Sequence, residues 1–160
     1  MPLERDLLET AKRLAKPHKP RGRPRQADLR RAISTAYYAV FHALCRMCAD
    51  AFVGNRSTTR RAWEQVYRAV EHGCSYDKCV HGIIGKEFPD EVKSFCGAFI
   101  HLQEKRYLAD YAPFANFKLS DVQQAIALAE DAINSIRKDS LDLKHRRAFA
   151  AWLLLRRRKA

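Results

Sequence analysis

The sequence predicts an all-α fold, an up-and-down helical bundle with an additional helix at its C-terminal end. Three observations carry that expectation. Only six Gly and six Pro occur in 160 residues, and Pro17, Pro20 and Pro24 crowd into one short stretch, so long segments are left without a breaker. Apolar residues recur through those segments at i, i+3, i+4 and i+7, the period of a helix with one buried face. The apolar fraction of 47% lies in the globular range and supports a core in a chain the size of one domain.

A first helix is expected from about Pro2 to Ala15, with Leu3, Leu7, Leu8, Ala11 and Leu14 in register. The segment PHKPRGRPRQ follows. Its prolines exclude a helix, and it reads as a flexible basic loop whose length marks it as functional or mobile. The second helix, about Ala27 to Phe52, carries the clearest stripe: Leu29, Ala32, Ile33, Ala36, Val40, Ala43, Leu44 and Met47. Gly54-Asn55 is its expected stop. A third helix, about Thr59 to Glu71, lies behind Ser57 and Thr58 as candidate caps and turns Ala62, Trp63, Val66, Tyr67 and Val70 inward. Between His72 and Glu87 a short helix from Tyr76 to Ile84 is expected, capped by Ser75 and ended by Gly85.

Pro89 suits a first helical position, and Asp90 and Glu91 complement the dipole of the helix expected from there to about Tyr111, before Pro113. Ser120-Asp121-Val122-Gln123 has the form of a capping box. It opens a helix with Val122, Ile126, Ala129, Ile133 and Ile136 on its inner face. A last helix spans about Leu141 to Arg157. The organisation expected is an N-terminal helix and basic loop (1–26), a helical bundle (27–138), and a basic, apolar terminal helix (139–160).

The net charge of +12 is unevenly placed. Residues 1–31 hold ten Lys/Arg against four Asp/Glu, and residues 137–160 hold nine against two, whereas the intervening chain is close to neutral. Basic ends on a near-neutral core are the electrostatic footprint of a polyanion partner, a nucleic acid or an anionic membrane surface. The candidate phosphate contacts are Arg21, Arg23, Arg25, Arg30 and Arg31 at one end, and Arg156, Arg157 and Arg158 at the other. No run approaches the roughly 20 apolar residues of a membrane span, so integral membrane association is not expected. Five cysteines, an odd number in helical sequence, point to a reducing cytoplasm rather than a disulfide framework. Cys45-x-x-Cys48 and the group His72, Cys74, Cys79 and His81 raise the question of zinc; the helical pair reads as small core residues, the second group matches no familiar zinc-finger spacing, and neither metal nor cofactor is expected.

The second helix contains RRAISTAYYAVFHALC, and the helix after Pro89 contains LQEKRYLADYAP. Together they resemble the HEPN superfamily, in particular small prokaryotic members in which a helix close to "raYYAxFHA" precedes one ending "R-x-x-x-D-Y-x-P". The matching residues are Tyr37, Tyr38, Ala39, Phe41, His42 and Ala43, then Arg106, Ala109, Asp110, Tyr111 and Pro113, and the likeness covers roughly residues 27–137. The resemblance implies a helical bundle, usually a homodimer, associated with RNA. It also implies kinship with metal-independent endoribonucleases of toxin and defence systems, and so a partner protein such as an antitoxin. In those enzymes a histidine follows the motif arginine by four to six residues. Here Arg106 is followed by Tyr107, Leu108, Ala109, Asp110, Tyr111 and Ala112, without one.

The residues themselves leave alternatives open. Arg106 continues the Phe95/Phe99/Leu102 stripe at i+4, where a guanidinium must be paired or face a ligand. Asp110, at i+4 from Arg106, permits an intrahelical pair. The pair either closes the end of the bundle or, with Tyr111, orients Arg106 as a phosphate grip. Asp110 beside an arginine is a poor base and Tyr111 is neutral at pH 7. His42 is then the candidate proton acceptor for catalysis, against a structural role on the face it shares with Tyr38 and Arg46. For the terminal helix, docking on the bundle or on a second subunit is expected before attachment to an anionic membrane. The function expected is RNA binding or metal-independent RNA cleavage. The alternative is a non-catalytic interaction or regulatory module.

Overall fold

The computed structural model describes residues 1–54 and 57–156, without the side chain of Ser57. Asn55 of the expected helix stop, the expected cap side chain of Ser57, and the candidate phosphate contacts Arg157 and Arg158 therefore lie outside the described residues.

The fold is all-α, a helical bundle. Among the described residues there are eight α-helices and no strand: α1 (Leu3–Leu14), α2 (Gln26–Phe52), α3 (Arg60–Ala69), α4 (His72–Val80), α5 (Ile83–Glu87), α6 (Asp90–Tyr111), α7 (Leu119–Ser135) and α8 (Leu143–Leu154). Each long helix follows its sequence signals. In α1, Glu4 and Asp6 sit in the first turn and Lys12 and Arg13 in the last, complementing the helix dipole. At the end of α2, Gly54 adopts a φ of 78°, the left-handed turn expected at that stop. Helix α7 begins one residue ahead of the expected capping box. The backbone N–H of Lys118 donates to the Asp121 carboxylate at 2.7 Å, the reciprocal half of such a box without its serine.

Two boundaries differ more. The helix expected over Tyr76–Ile84 is split into α4 and α5, because His81 turns extended and its Nδ1 accepts the Ile83 N–H at 3.2 Å. Ser75, expected as a cap, is buried inside α4, and Gly85 lies within α5 rather than at its end. Helix α3 ends at Ala69, and none of its residues is buried; Trp63, Val66 and Tyr67 are half-buried, and Ala62 is exposed.

The chain forms two compact units, the first from Met1–His42 and Ala98–Ala132, the second from Ala43–Gly97 and the chain from Ile133 on. In the first, α2 runs antiparallel to α6. Arg30 reaches the carbonyl of Ala109, Ser34 reaches Asp110, and the Tyr37 ring meets that of Phe99 with centroids 5.6 Å apart. Helix α1 joins them, with Lys12 paired to Glu130 of α7 at 2.6 Å. Tyr37, Phe99, Leu102, Ile33 and Val122 are fully buried and form the core of this unit.

The second unit is built around Phe149 of α8. Its ring meets those of Phe88 and Phe95, each with centroids 5.9 Å away and edge-on, the arrangement that aromatic quadrupoles favour. Trp152 donates to the carbonyl of Lys78 on α4, whose ammonium lies 4.2 Å from the indole centre. Arg147 donates to the carbonyl of Ala51 near the end of α2, and Trp63 donates to Asp50 at 2.7 Å. The terminal helix thus docks on its own chain. Asp142 caps it by accepting the His145 N–H at 2.8 Å. No helix among the described residues is long and apolar enough to cross a membrane.

Candidate nucleic-acid interface

The residues singled out by the sequence gather in the first unit, where the N-terminal turns of α2 meet the C-terminal end of α6. On a helix, positions 30, 34, 37 and 41 fall on one face. Arg30, Ser34, Tyr37 and Phe41 accordingly line the side of α2 that faces α6. Arg106 comes to rest against this face, its guanidinium 5.2 Å from the centre of the Tyr37 ring and 3.5 Å from the Asp110 carboxylate. The Arg106 side chain is 15% exposed and that of Asp110 23% exposed. The Nε of Arg106 is buried without a hydrogen bond, the one such side-chain nitrogen or oxygen among the described residues. Asp110 also accepts a short hydrogen bond from the buried hydroxyl of Ser34. Both oxygens of Asp110 are therefore engaged, one by Ser34 and one by Arg106, which suits it to hold Arg106 in place.

Arg30 closes the end of α6. Its guanidinium donates to the carbonyls of Ala109 at 2.9 Å, Ala112 at 2.8 Å, Pro113 at 3.3 Å and Ala115, and lies 5.6 Å from the centre of the Phe117 ring. Carbonyls at a helix C-terminus lack intrahelical partners and carry the negative end of the dipole, so a planar cation with forked donors satisfies both needs. Gln26 completes the clamp by donating to the carbonyl of Phe117 at 2.7 Å and accepting its N–H at 2.9 Å.

The basic loop leads directly into this clamp. Residues Lys16 to Arg23 are exposed and lie outside any helix. Asp28, in the first turn of α2, pins the loop by accepting from Arg25 at 2.9 Å and meeting His18 at 2.9 Å. Arg25 and then His18 hold the Asp28 carboxyl below its ordinary range, against the opposing effect of its burial. Arg21, Arg23 and Arg31 are exposed; Arg25 is exposed as well while paired to Asp28. Arg156 is exposed in the second unit.

His42 is placed differently. Five residues beyond Tyr37, it points about 140° around the α2 axis from the ring that carries Arg106. It is half-buried, and this desolvation pushes its pKa below the ordinary value, with Glu4 of α1 acting in the opposite direction. Tyr111 is 63% exposed and packs on Tyr107, centroids 5.2 Å apart, rather than orienting Arg106. Within this unit the structure joins Arg106 to Asp110 and directs His42 and Tyr111 elsewhere.

Sequence inspection missed Ser34, the Tyr37 ring beneath Arg106, and the Gln26/Arg30 clamp. Their signal was present as polar residues falling in register with the apolar stripe of α2. Among the described residues no group of three or more His, Cys, Asp or Glu side chains is arranged to hold a metal ion, and the five cysteines are free thiols. No family model, curated protein or solved structure matches this chain.

Proposed function

We propose that this chain is an RNA-binding protein of HEPN type, with the corner around Arg106 facing the phosphate backbone and the basic loop tracking along it. The observation that carries the reading is one of placement. The basic loop Lys16–Arg25, exposed from Lys16 to Arg23, runs into α2 at the point where Gln26 and Arg30 grip the segment that follows the Arg106–Asp110 pair. A concentrated positive charge thereby adjoins a positioned arginine, a combination that favours polyanion binding. A guanidinium held by Asp110 and the Tyr37 ring is pre-organised for planar contact with a phosphate. Binding rather than cleavage is the activity proposed, because His42 lies on another side of α2 and Asp110 is engaged twice.

The test is incubation of the purified protein with labelled RNA in EDTA, beside Arg106→Ala and His42→Ala. Intact RNA, with binding that weakens steeply as salt rises, is the expected result. Cleavage that survives chelation and disappears in Arg106→Ala would replace binding with catalysis. Absence of both would favour an interaction module, a second reading that draws on the structural engagement of Arg30 and Asp110.

A further inference from the structure

Large apolar side chains at a helix end are normally covered, yet Tyr107, Tyr111 and Phe114 are 61%, 63% and 95% exposed. They fall on one short stretch, Tyr107 to Phe114, which also exposes Leu108. Tyr107 and Tyr111 stand one turn apart on the last turns of α6, with ring centroids 5.2 Å apart and planes inclined at 52°. Phe114 follows in the turn that Arg30 holds by its carbonyls on either side, at Pro113 and Ala115. The backbone from Ala109 to Ala115 is therefore clamped while the three rings are largely exposed. The loop that leads into that clamp carries Lys16, Lys19, Arg21, Arg23 and Arg25.

We infer that Tyr107, Tyr111 and Phe114 form a stacking platform for the bases of a single-stranded nucleic acid, whose phosphates the basic loop neutralises. The inference rests on the RNA-binding reading and specifies its ligand as unpaired strand. Every base has a π-face, so exposed aromatic rings beside a basic strip bind single strands with little sequence preference. A duplex keeps its bases stacked internally and offers such rings nothing. A second copy of the chain is a poorer occupant, because an isologous contact at this face would bring two like-charged loops together.

The measurement is fluorescence anisotropy with a labelled oligouridine of about a dozen nucleotides and with an RNA duplex of equal length. It compares the whole protein with Tyr107→Ala/Tyr111→Ala, Phe114→Ala and Tyr107→Phe/Tyr111→Phe. The single strand should bind about tenfold or more tighter than the duplex, and the double alanine variant should lose about tenfold or more, because two stacking surfaces are removed. The slope of affinity against salt should stay unchanged, since no charge is removed, and the double phenylalanine variant should retain binding. Circular dichroism verifies that the variants keep their helices. Wild-type binding that the alanine variants leave intact would overturn the platform and spare the RNA reading. No wild-type binding to either RNA would overturn both. A dimer by sedimentation that becomes monomeric in the double alanine variant would assign the face to self-association. Tyrosine-dependent binding to phosphatidylglycerol vesicles without any effect on RNA would assign it to a membrane; either result overturns the platform.

Discussion

The hydroxyl of Ser34 on α2 donates to the carboxylate of Asp110 on α6 from a fully buried position, 76 residues away in the chain. This contact ties the motif pair on α6 to the helix that carries the other motif. Ser34→Ala should lower stability by about 1–3 kcal/mol, since a hydrogen bond to a charged acceptor is lost in a shielded site. Asp110→Asn should cost a similar amount, and the double variant less than the two losses combined, because they share one interaction. Urea denaturation of the four proteins measures the coupling. Strictly additive losses would sink the account.

Arg30 holds four carbonyls between Ala109 and Ala115. A lysine ammonium is a point charge and cannot span that set or lie flat over Phe117. Arg30→Lys is therefore expected to destabilise by about 1–2 kcal/mol, the cost of part-buried acceptors left without donors. Arg31→Lys, at the exposed neighbouring position, should stay within about 0.5 kcal/mol of wild type. Equal denaturation midpoints for the two variants would refute the clamp.

His42 supplies a pH dependence of stability. Burial lowers its folded pKa below the ordinary 6.5, so on acidification the unfolded chain takes up the proton before the folded one. Stability is fully present above pH 6.5 and is lost as pH falls from there through the lower folded value. Melting temperatures should drop across this window in wild type and drop less in His42→Gln. Identical profiles would show that His42 does not titrate as placed.

The thiols should differ sharply in reactivity. Cys74 is exposed, whereas Cys45, Cys48, Cys79 and Cys96 are buried. Burial pushes the Cys45 thiol up to about 12 and raises that of Cys48; for Cys79 a hydrogen bond with Cys96 raises the thiol first and burial adds to it. Iodoacetamide at pH 8 should modify one cysteine in the native protein, identified as Cys74 by peptide mass, and all five after unfolding. Rapid native labelling of Cys45 or Cys48 would contradict their burial.

Much of the helical layout was legible because helix formation is decided locally. The stripe of α2 from Leu29 to Met47 is buried throughout, and so is that of α7 from Val122 to Ile133, with Ile136 just past its end. Both stripes repeat at the helical period, and no distant partner is needed to recognise them. The boundaries that shifted were those set by single contacts. His81 breaks the expected helix between α4 and α5 by taking the Ile83 N–H, and Asp121 starts α7 by taking that of Lys118.

The sequence by itself determined an all-helical chain, the concentration of positive charge toward its ends, and the register that places Arg106 four residues from Asp110. Tertiary structure decided what those residues do. Arg30, legible only as one of several arginines, became a clamp on carbonyls some eighty residues away. Asp110 acquired Ser34 as a donor, His42 turned from the Arg106 side of α2, and Tyr107, Tyr111 and Phe114 were left in solvent. Periodicity states which face of a helix is apolar, because that depends on neighbours three and four residues away. Which polar group meets another across two helices depends on how those faces dock, and that is set by the packing of both cores.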